Sequence, residues 1–283
     1  MADTSIISKI LNFFHITTPP PVTPTTISRG TNTDPEDVDP LCRFNTRMLS
    51  ELRFPRMALI GKTSTGKSEA VKSICFELQD QFSDVFVHST SEPTQKFYSQ
   101  FIPEQCIVSD NSLQALREKY EAHKERKKQW DARIADGTVT LEEAQSKCSL
   151  LIILDNLNCF GDGVWKNPLI QEIWMNGRHS WITIIVTLQN SQGIGPMLRD
   201  QMDWVMAWHD HSISGQKKLF QNWIGFFGSF ADFKKTYNQV TGMYCCMVVR
   251  KYSMGRTDVD SNVFQWKPQL VQDFIFSLKQ TSL

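Results

Sequence analysis

The stretch "MALIGKTSTGKSEAVKSICFELQDQ", residues 57 to 81, decides the fold. Four apolar residues, Met57 to Ile60, read as a buried strand, and the amphipathic run after Ser68 reads as a helix. Between them lies G-x-x-x-x-G-K-S, from Gly61 to Ser68. Glycines at Gly61 and Gly66 let the backbone wrap closely around an anion. The N–H groups of Lys62, Thr63, Ser64 and Thr65 turn inward, and the helix start adds a favourable potential. Lys67 has the reach for β- and γ-phosphates, and the Ser68 hydroxyl suits Mg2+. Strand, loop and helix together predict a site for ATP and Mg2+ over Gly61 to Ser68.

A second strand, "LLIILD" (150–155), ends in Asp155, where a carboxylate beside such a loop holds the metal's water. In many ATPases of this layout the next residue is a second acid that activates the attacking water. Here it is Asn156, and an amide cannot take a proton. Further strands are read at "DVFVHS" (84–89), "CIVSD" (106–110), "ITIIVTLQ" (182–189), "WVMAWH" (204–209) and "YCCMVVRKY" (244–252). Apolar strands alternating with helices predict an α/β fold with a central, mostly parallel sheet flanked by helices. Strands between the loop and Asp155 place it in the additional-strand class of RecA-like P-loop NTPases.

The 283 residues suffice for one large domain with a sizeable core, and 41% are hydrophobic. Thirty basic residues balance thirty acidic ones, which argues against a protein coated in positive charge for non-specific nucleic-acid binding. The seven cysteines are scattered and form no C-x-x-C pair, so a soluble protein of a reducing compartment is expected. Residues 1–40 differ from the rest. "SIISKILNFFHI" sets Ile6, Ile7, Ile10, Leu11 and Phe14 along one side of a short helix, and "TTPPPVTPTT" follows. This predicts a flexible Pro/Thr-rich tail with an amphipathic tip, free in solution or tethered to a partner or membrane. Residues 41–283 form the ATPase domain. A charged stretch at about 112–147 predicts a solvated helical arm or hairpin, because its apolar positions are few: Leu113, Leu116, Tyr120 and Trp130.

Four elements follow Asp155 in order. "GRH" (177–179) precedes a strand ending in Thr187 and Gln189. Leu198-Arg199 is followed by Asp203. "FADFKKTYNQVTGMYCCMVV" (230–249) closes the core. This set resembles the viral genome-packaging ATPases of the FtsK/HerA superfamily, of the poxvirus type, over about residues 54 to 252. The resemblance implies a homo-oligomeric ring that drives double-stranded DNA into a preformed capsid, at a capsid or portal-vertex protein, in the virion or in the host nucleus or cytoplasm. It implies that Gln189 senses nucleotide state, and that Arg199, with Arg178 as runner-up, reaches a neighbour's nucleotide as an arginine finger. Relatives usually carry an acid at the position of Asn156. Three alternatives follow: Asp155 serves both metal and water, another acid such as Asp162 or Glu172 swings in, or turnover is slow.

Two other readings stay open. A superfamily-three replicative helicase suits "STGKS", and "VTLQN" resembles its third motif, but Lys67 to Asp155 is a long interval for that compact core. An ATP-binding docking protein with weak hydrolysis suits Asn156 and the apolar tip. For DNA, "HKERKKQW" (123–130), Lys217–Lys218 and Lys234–Lys235 supply positive charge for backbone contacts, although Glu118, Glu121 and Glu125 are interleaved. "NWIGFFGSF" (222–230) is read as core or as a contact with another subunit.

Overall fold

The computed structural model describes residues 42–109, 112–157, 161, 163–252 and 258–279. The N-terminal tail and Asp162 lie outside them. Eight strands form one sheet: β1 (Arg56–Ile60), β2 (Asp84–Ser89), β3 (Ile107–Val108), β4 (Leu150–Asp155), β5 (Ile182–Leu188), β6 (Trp204–Trp208), β7 (Cys246–Arg250) and β8 (Val263–Trp266). Their order is β3-β2-β4-β5-β1-β6-β7-β8. The first six are parallel, and β7 and β8 are added antiparallel. Sequence reading places seven of these strands. It misses β8, whose four residues are too few to show a period.

β5 stands between β1 and β4, the strands that carry the phosphate loop and Asp155. That inserted strand is the mark of the additional-strand class. All residues of β1, β2, β4, β5 and β6 are buried, which explains their unbroken apolar runs. Alternate side chains serve opposite faces. Ala58, Ile60, Ile152, Leu154, Ile184 and Val186 enter one core, and Met57, Leu59, Val87, Leu151, Ile153 and Ile185 enter the other.

Each core is roofed by amphipathic helices. The second is covered by α1 (Lys67–Leu78), through Ala70, Val71, Ile74 and Leu78, and by α2 (Glu92–Tyr98). Phe274 and Phe276 of the C-terminal segment close it, with the Phe276 amide bonded to the Phe101 carbonyl at 2.6 Å. The first is covered by α3 (Gln114–Ala135), α5 (Pro168–Asn176), α6 (Pro196–Asp200), α7 (Ile213–Trp223) and α8 (Phe230–Val240), while Ala144 of α4 (Leu141–Lys147) packs with Trp130 of α3 in a separate small cluster. Trp223, Phe227 and Phe233 are buried in this core, so the aromatic stretch at 222–230 packs largely within its own chain.

The charged insertion is helical, as α3 and α4, and one face of α3 is packed rather than solvated. Leu116 and Tyr120 of α3 enter the sheet core, and His123 and Trp130 are buried as well. The basic run is tied down by carboxylates. Lys119 and Arg126 bond Asp84 at 2.7 and 2.6 Å, Lys124 bonds Glu172 at 3.1 Å, and Lys127 bonds Asp131 at 2.6 Å. Its charge therefore holds the helix to the sheet and to α5.

Burial alone pushes the Asp84 carboxyl pKa up. The hydrogen bonds and charges of Lys119 and Arg126 outweigh that and hold it below the ordinary value. A carboxyl lowered by folding contributes stability above its unfolded pKa of about 3.9, and that stability is lost as pH falls through the folded value. Asp84→Asn is expected to lower stability at pH 7 by about 2 kcal/mol and to flatten the loss of stability below about pH 4. Urea denaturation of both proteins across pH 2 to 7 checks this.

Candidate nucleotide site

The parallel strands end together. Across the sheet, Ser89 pairs with Asp155, Asp155 with Thr187, and Ile60 with Leu188 and Ala207. Every loop that follows these strands opens at one edge, where ligands bind in open parallel sheets. Gly61 leaves β1 with its amide bonded to Leu188 O at 3.0 Å. A Cβ at Gly61 would lie 2.7 Å from Thr65 Oγ1 and 2.9 Å from Trp208 Cβ, so no side chain fits. Gly66, with φ of 102°, begins α1 without a side-chain cap. The open N–H groups at that helix start are those an anion uses.

Lys67 Nζ folds back onto the loop, donating to Gly61 O at 2.6 Å and to Lys62 O at 2.8 Å. Burial lowers its pKa, and the Asp155 charge partly opposes this. The two groups therefore share one field, although they are far apart in sequence. Asp155 is 8% exposed. Its Oδ2 accepts from the Tyr98 hydroxyl at 2.8 Å, and its Oδ1 accepts from the Thr187 hydroxyl. Tyr98, fully buried on α2, was not singled out in the sequence. Only its place on the helix after β2 could have signalled its role.

Asn156 adopts φ of 56°. Its amide donates to both O and Oγ1 of Thr187, at 3.3 and 3.2 Å. Asparagine is among the few non-glycine residues that enter this left-handed region readily. A backbone turn immediately after Asp155 thus accounts for an amide here on structural grounds. Glu172, one substitute acid considered above, faces α3, where it accepts from Tyr120 Oη and Lys124 Nζ. It is not at this edge.

Gln189 is exposed and lines one crevice with Gly61, Lys62, Asn190, Trp208 and Asp210. Lys62 is paired with Asp210 at 3.1 Å. The structure therefore brings Gly61 to Ser68, Asp155, Asn156 and Gln189 to one sheet edge. It does not bring the arginines there. Arg178 precedes β5 at the opposite edge, roughly 20 Å away at about 3.3 Å per strand residue. It donates to Asp203 Oδ1 and Oδ2 at 2.7 and 2.8 Å, and Arg56 Nε lies 3.8 Å from the same carboxylate. Arg199, on α6, donates to Ile194 O at 3.1 Å, and its own carbonyl accepts from Lys251.

No group of three or more His, Cys, Asp or Glu among the described residues is placed to hold a metal. A divalent ion would rest on Ser68 Oγ, the Asp155 carboxylate and phosphate oxygens. An all-oxygen set with few protein ligands fits Mg2+. The six described cysteines are free thiols, and no described helix is long and apolar enough to cross a membrane.

Comparison with known proteins gives a family and a fold. Residues 41–219, more than half of the chain, match the family described as Poxvirus A32 protein. Uncharacterized protein 075L of Invertebrate iridescent virus 6 is 24% identical over 217 residues, covering 76% of this chain and 78% of that one. EssC (ATPases 2 and 3) from Geobacillus thermodenitrificans superposes with a TM-score of 0.52 at 15% identity, over 89% of this chain and 48% of that chain. The genome packaging NTPase B204 of Sulfolobus turreted icosahedral virus 2, solved with ATP-gammaS, gives a TM-score of 0.49 at 16% identity, over 77% of this chain and 98% of that one.

Tyr98→Phe removes one donor from Asp155 and leaves a buried carboxylate oxygen short of a partner. The expected loss of stability is about 1–2 kcal/mol, read by chemical denaturation, with an unchanged far-UV spectrum. The chain belongs to the Poxvirus A32 protein family and has the fold of a RecA-like P-loop ATPase.

Proposed function

We propose that the chain is an ATP-driven motor that moves double-stranded viral DNA into a preformed capsid as a homo-oligomeric ring. The observation that carries this reading is the meeting of Lys67, Asp155 and Gln189 at one sheet edge, in a chain of this family. When bound, Mg2+ supplies charge neutralisation on the phosphates. Gly61 to Ser68 grip the phosphates. Lys67 exchanges its two loop carbonyls for phosphate oxygens, a swap of neutral acceptors for charged ones that favours the bound state. Asp155, fixed by Tyr98 and Thr187, holds its carboxylate in one orientation without reorganising. Gln189 orients water or reports nucleotide state.

The arginines act, on this reading, between subunits. The Arg199 guanidinium donates to a neutral carbonyl, Ile194 O, whereas Arg178 is held by the Asp203 carboxylate. That difference favours Arg199 as the cation offered to a neighbour's nucleotide. DNA contacts fall to basic residues outside α3, whose charges are largely paired. A capsid or portal-vertex partner and a role for the N-terminal tip in tethering belong to the same reading.

A second reading is favoured by Asn156 and by the engagement of both Asp155 oxygens with hydroxyl groups. Here the chain binds ATP to dock on its partner and turns it over slowly. Steady-state phosphate release at rising protein concentration, with and without linear duplex DNA, separates the two, with Lys67→Ala as the blank. A rate that climbs with both protein and duplex supports the motor. Tight ATP binding without turnover supports the docking protein. Aspartate also tolerates the left-handed backbone at position 156, so Asn156→Asp is compatible with the turn. It is expected to raise kcat at least about tenfold if the missing acid limits the rate. An unchanged rate would show that it does not.

A further inference from the structure

Between α8 and β7 the chain makes a two-residue turn at Met243 and Tyr244. Gly242 and Cys245 close it, the Cys245 amide bonding Gly242 O at 2.8 Å and the Gly242 amide bonding Cys245 O at 3.4 Å. Both central residues have positive φ, 45° for Met243 and 68° for Tyr244. Asparagine and glycine fill such turns because other side chains are strained there. Here two large apolar side chains occupy it, and they stand in solvent, 87% and 66% exposed. At that exposure, burial gives little stability in return for either choice. Strain kept at an exposed position points to a use other than stability.

The turn stands beside the phosphate loop. Trp208 Nε1 donates to Tyr244 O at 3.3 Å, and the position of a Cβ on Gly66 lies 3.6 Å from Tyr244 Cδ1. Thr65 of the loop lines the same open cavity, of about 370 Å3, as Trp208, His211, Thr241, Met243 and Tyr244. The size is within the usual range for small-molecule sites. Strand order then sets which part of a nucleotide enters. Asp155 and Gln189 follow β4 and β5, on one side of β1, so the terminal phosphate faces that way. The remainder of the molecule must leave the loop toward β6 and β7, on the other side, where Tyr244 stands.

We propose that the Met243–Tyr244 turn is the nucleobase platform of the site, with the base stacked on the Tyr244 ring and flanked by Met243. This rests on the nucleotide-binding reading above. Stacking reads ring area and tolerates different bases, so the platform takes the base of a nucleoside triphosphate without selecting among bases.

Calorimetric titration of the full chain with ATP and with inorganic tripolyphosphate, both with Mg2+, separates base from phosphate recognition. Tyr244→Ala is expected to weaken ATP roughly tenfold and to leave tripolyphosphate unchanged, while Tyr244→Phe binds ATP like the parent. The double substitution Met243→Asn, Tyr244→Gly relieves the strained turn, so it should raise Tm and still lose ATP affinity. That outcome excludes unfolding as the cause. Unchanged ATP affinity in Tyr244→Ala, or equal loss of both ligands, overturns the platform while the phosphate site stands. Failure of the parent to bind either ligand overturns the nucleotide reading itself, and the platform with it.

Discussion

Thr187 and Asp155 face each other across the junction of β5 and β4, and the side-chain hydroxyl of one is bonded to the carboxylate of the other. The same threonine accepts the Asn156 amide through both its oxygens. One residue thus fixes where β4 stops, how the chain turns away from it, and how the carboxylate points. The register that pairs Asp155 with Thr187 also sets Ile60 against Leu188, which delivers the phosphate loop to the same edge. A slip of one residue in β5 would turn every side chain of that strand to the wrong core. The chemistry of the edge and the packing of both faces therefore depend on a single register.

Positive and negative groups at that edge are held apart in a definite way. Asp155 is satisfied by two neutral hydroxyls, and Lys67 by two neutral carbonyls. Neither needs the other as a partner. Their charges still act on one another through a buried space, so the edge carries a preset field. On the proposed reading, incoming phosphate meets a lysine that can leave weak acceptors for strong ones.

Much of this was legible in the sequence, because the parallel strands are buried on both faces and their apolar runs are continuous. "LLIILD" and "DVFVHS" match β4 and β2 residue for residue. The phosphate loop was legible because its glycines answer to geometry: Gly61 has no room for a Cβ and Gly66 has a left-handed φ. The helices of the insertion at 112–147 were legible, but their packing was not, because composition does not say where charges go. Lys119 and Arg126 look like a solvated face until Asp84, at the start of β2, is seen bonded to both. Arg178 was ambiguous for the same reason, since its partner Asp203 is set by the fold rather than by spacing. Tyr98 was invisible. Nothing in "EPTQKFY" shows that a phenol will reach a carboxylate on the strand after next.

The place of β1 in the sheet has a consequence for how the molecule is made. It is the first of the described strands to be synthesised, and its partners on both sides, β5 and β6, are encoded far downstream. β2 cannot shelter it, since β4 and β5 stand between them. The apolar stretch that leads into the phosphate loop must therefore wait, unpaired, until the third quarter of the chain exists. Such long-range pairing is slow and leaves hydrophobic surface open to other chains. The nucleotide pocket is consequently among the last features to form, and any ligand that fills it selects completed chains over partial ones.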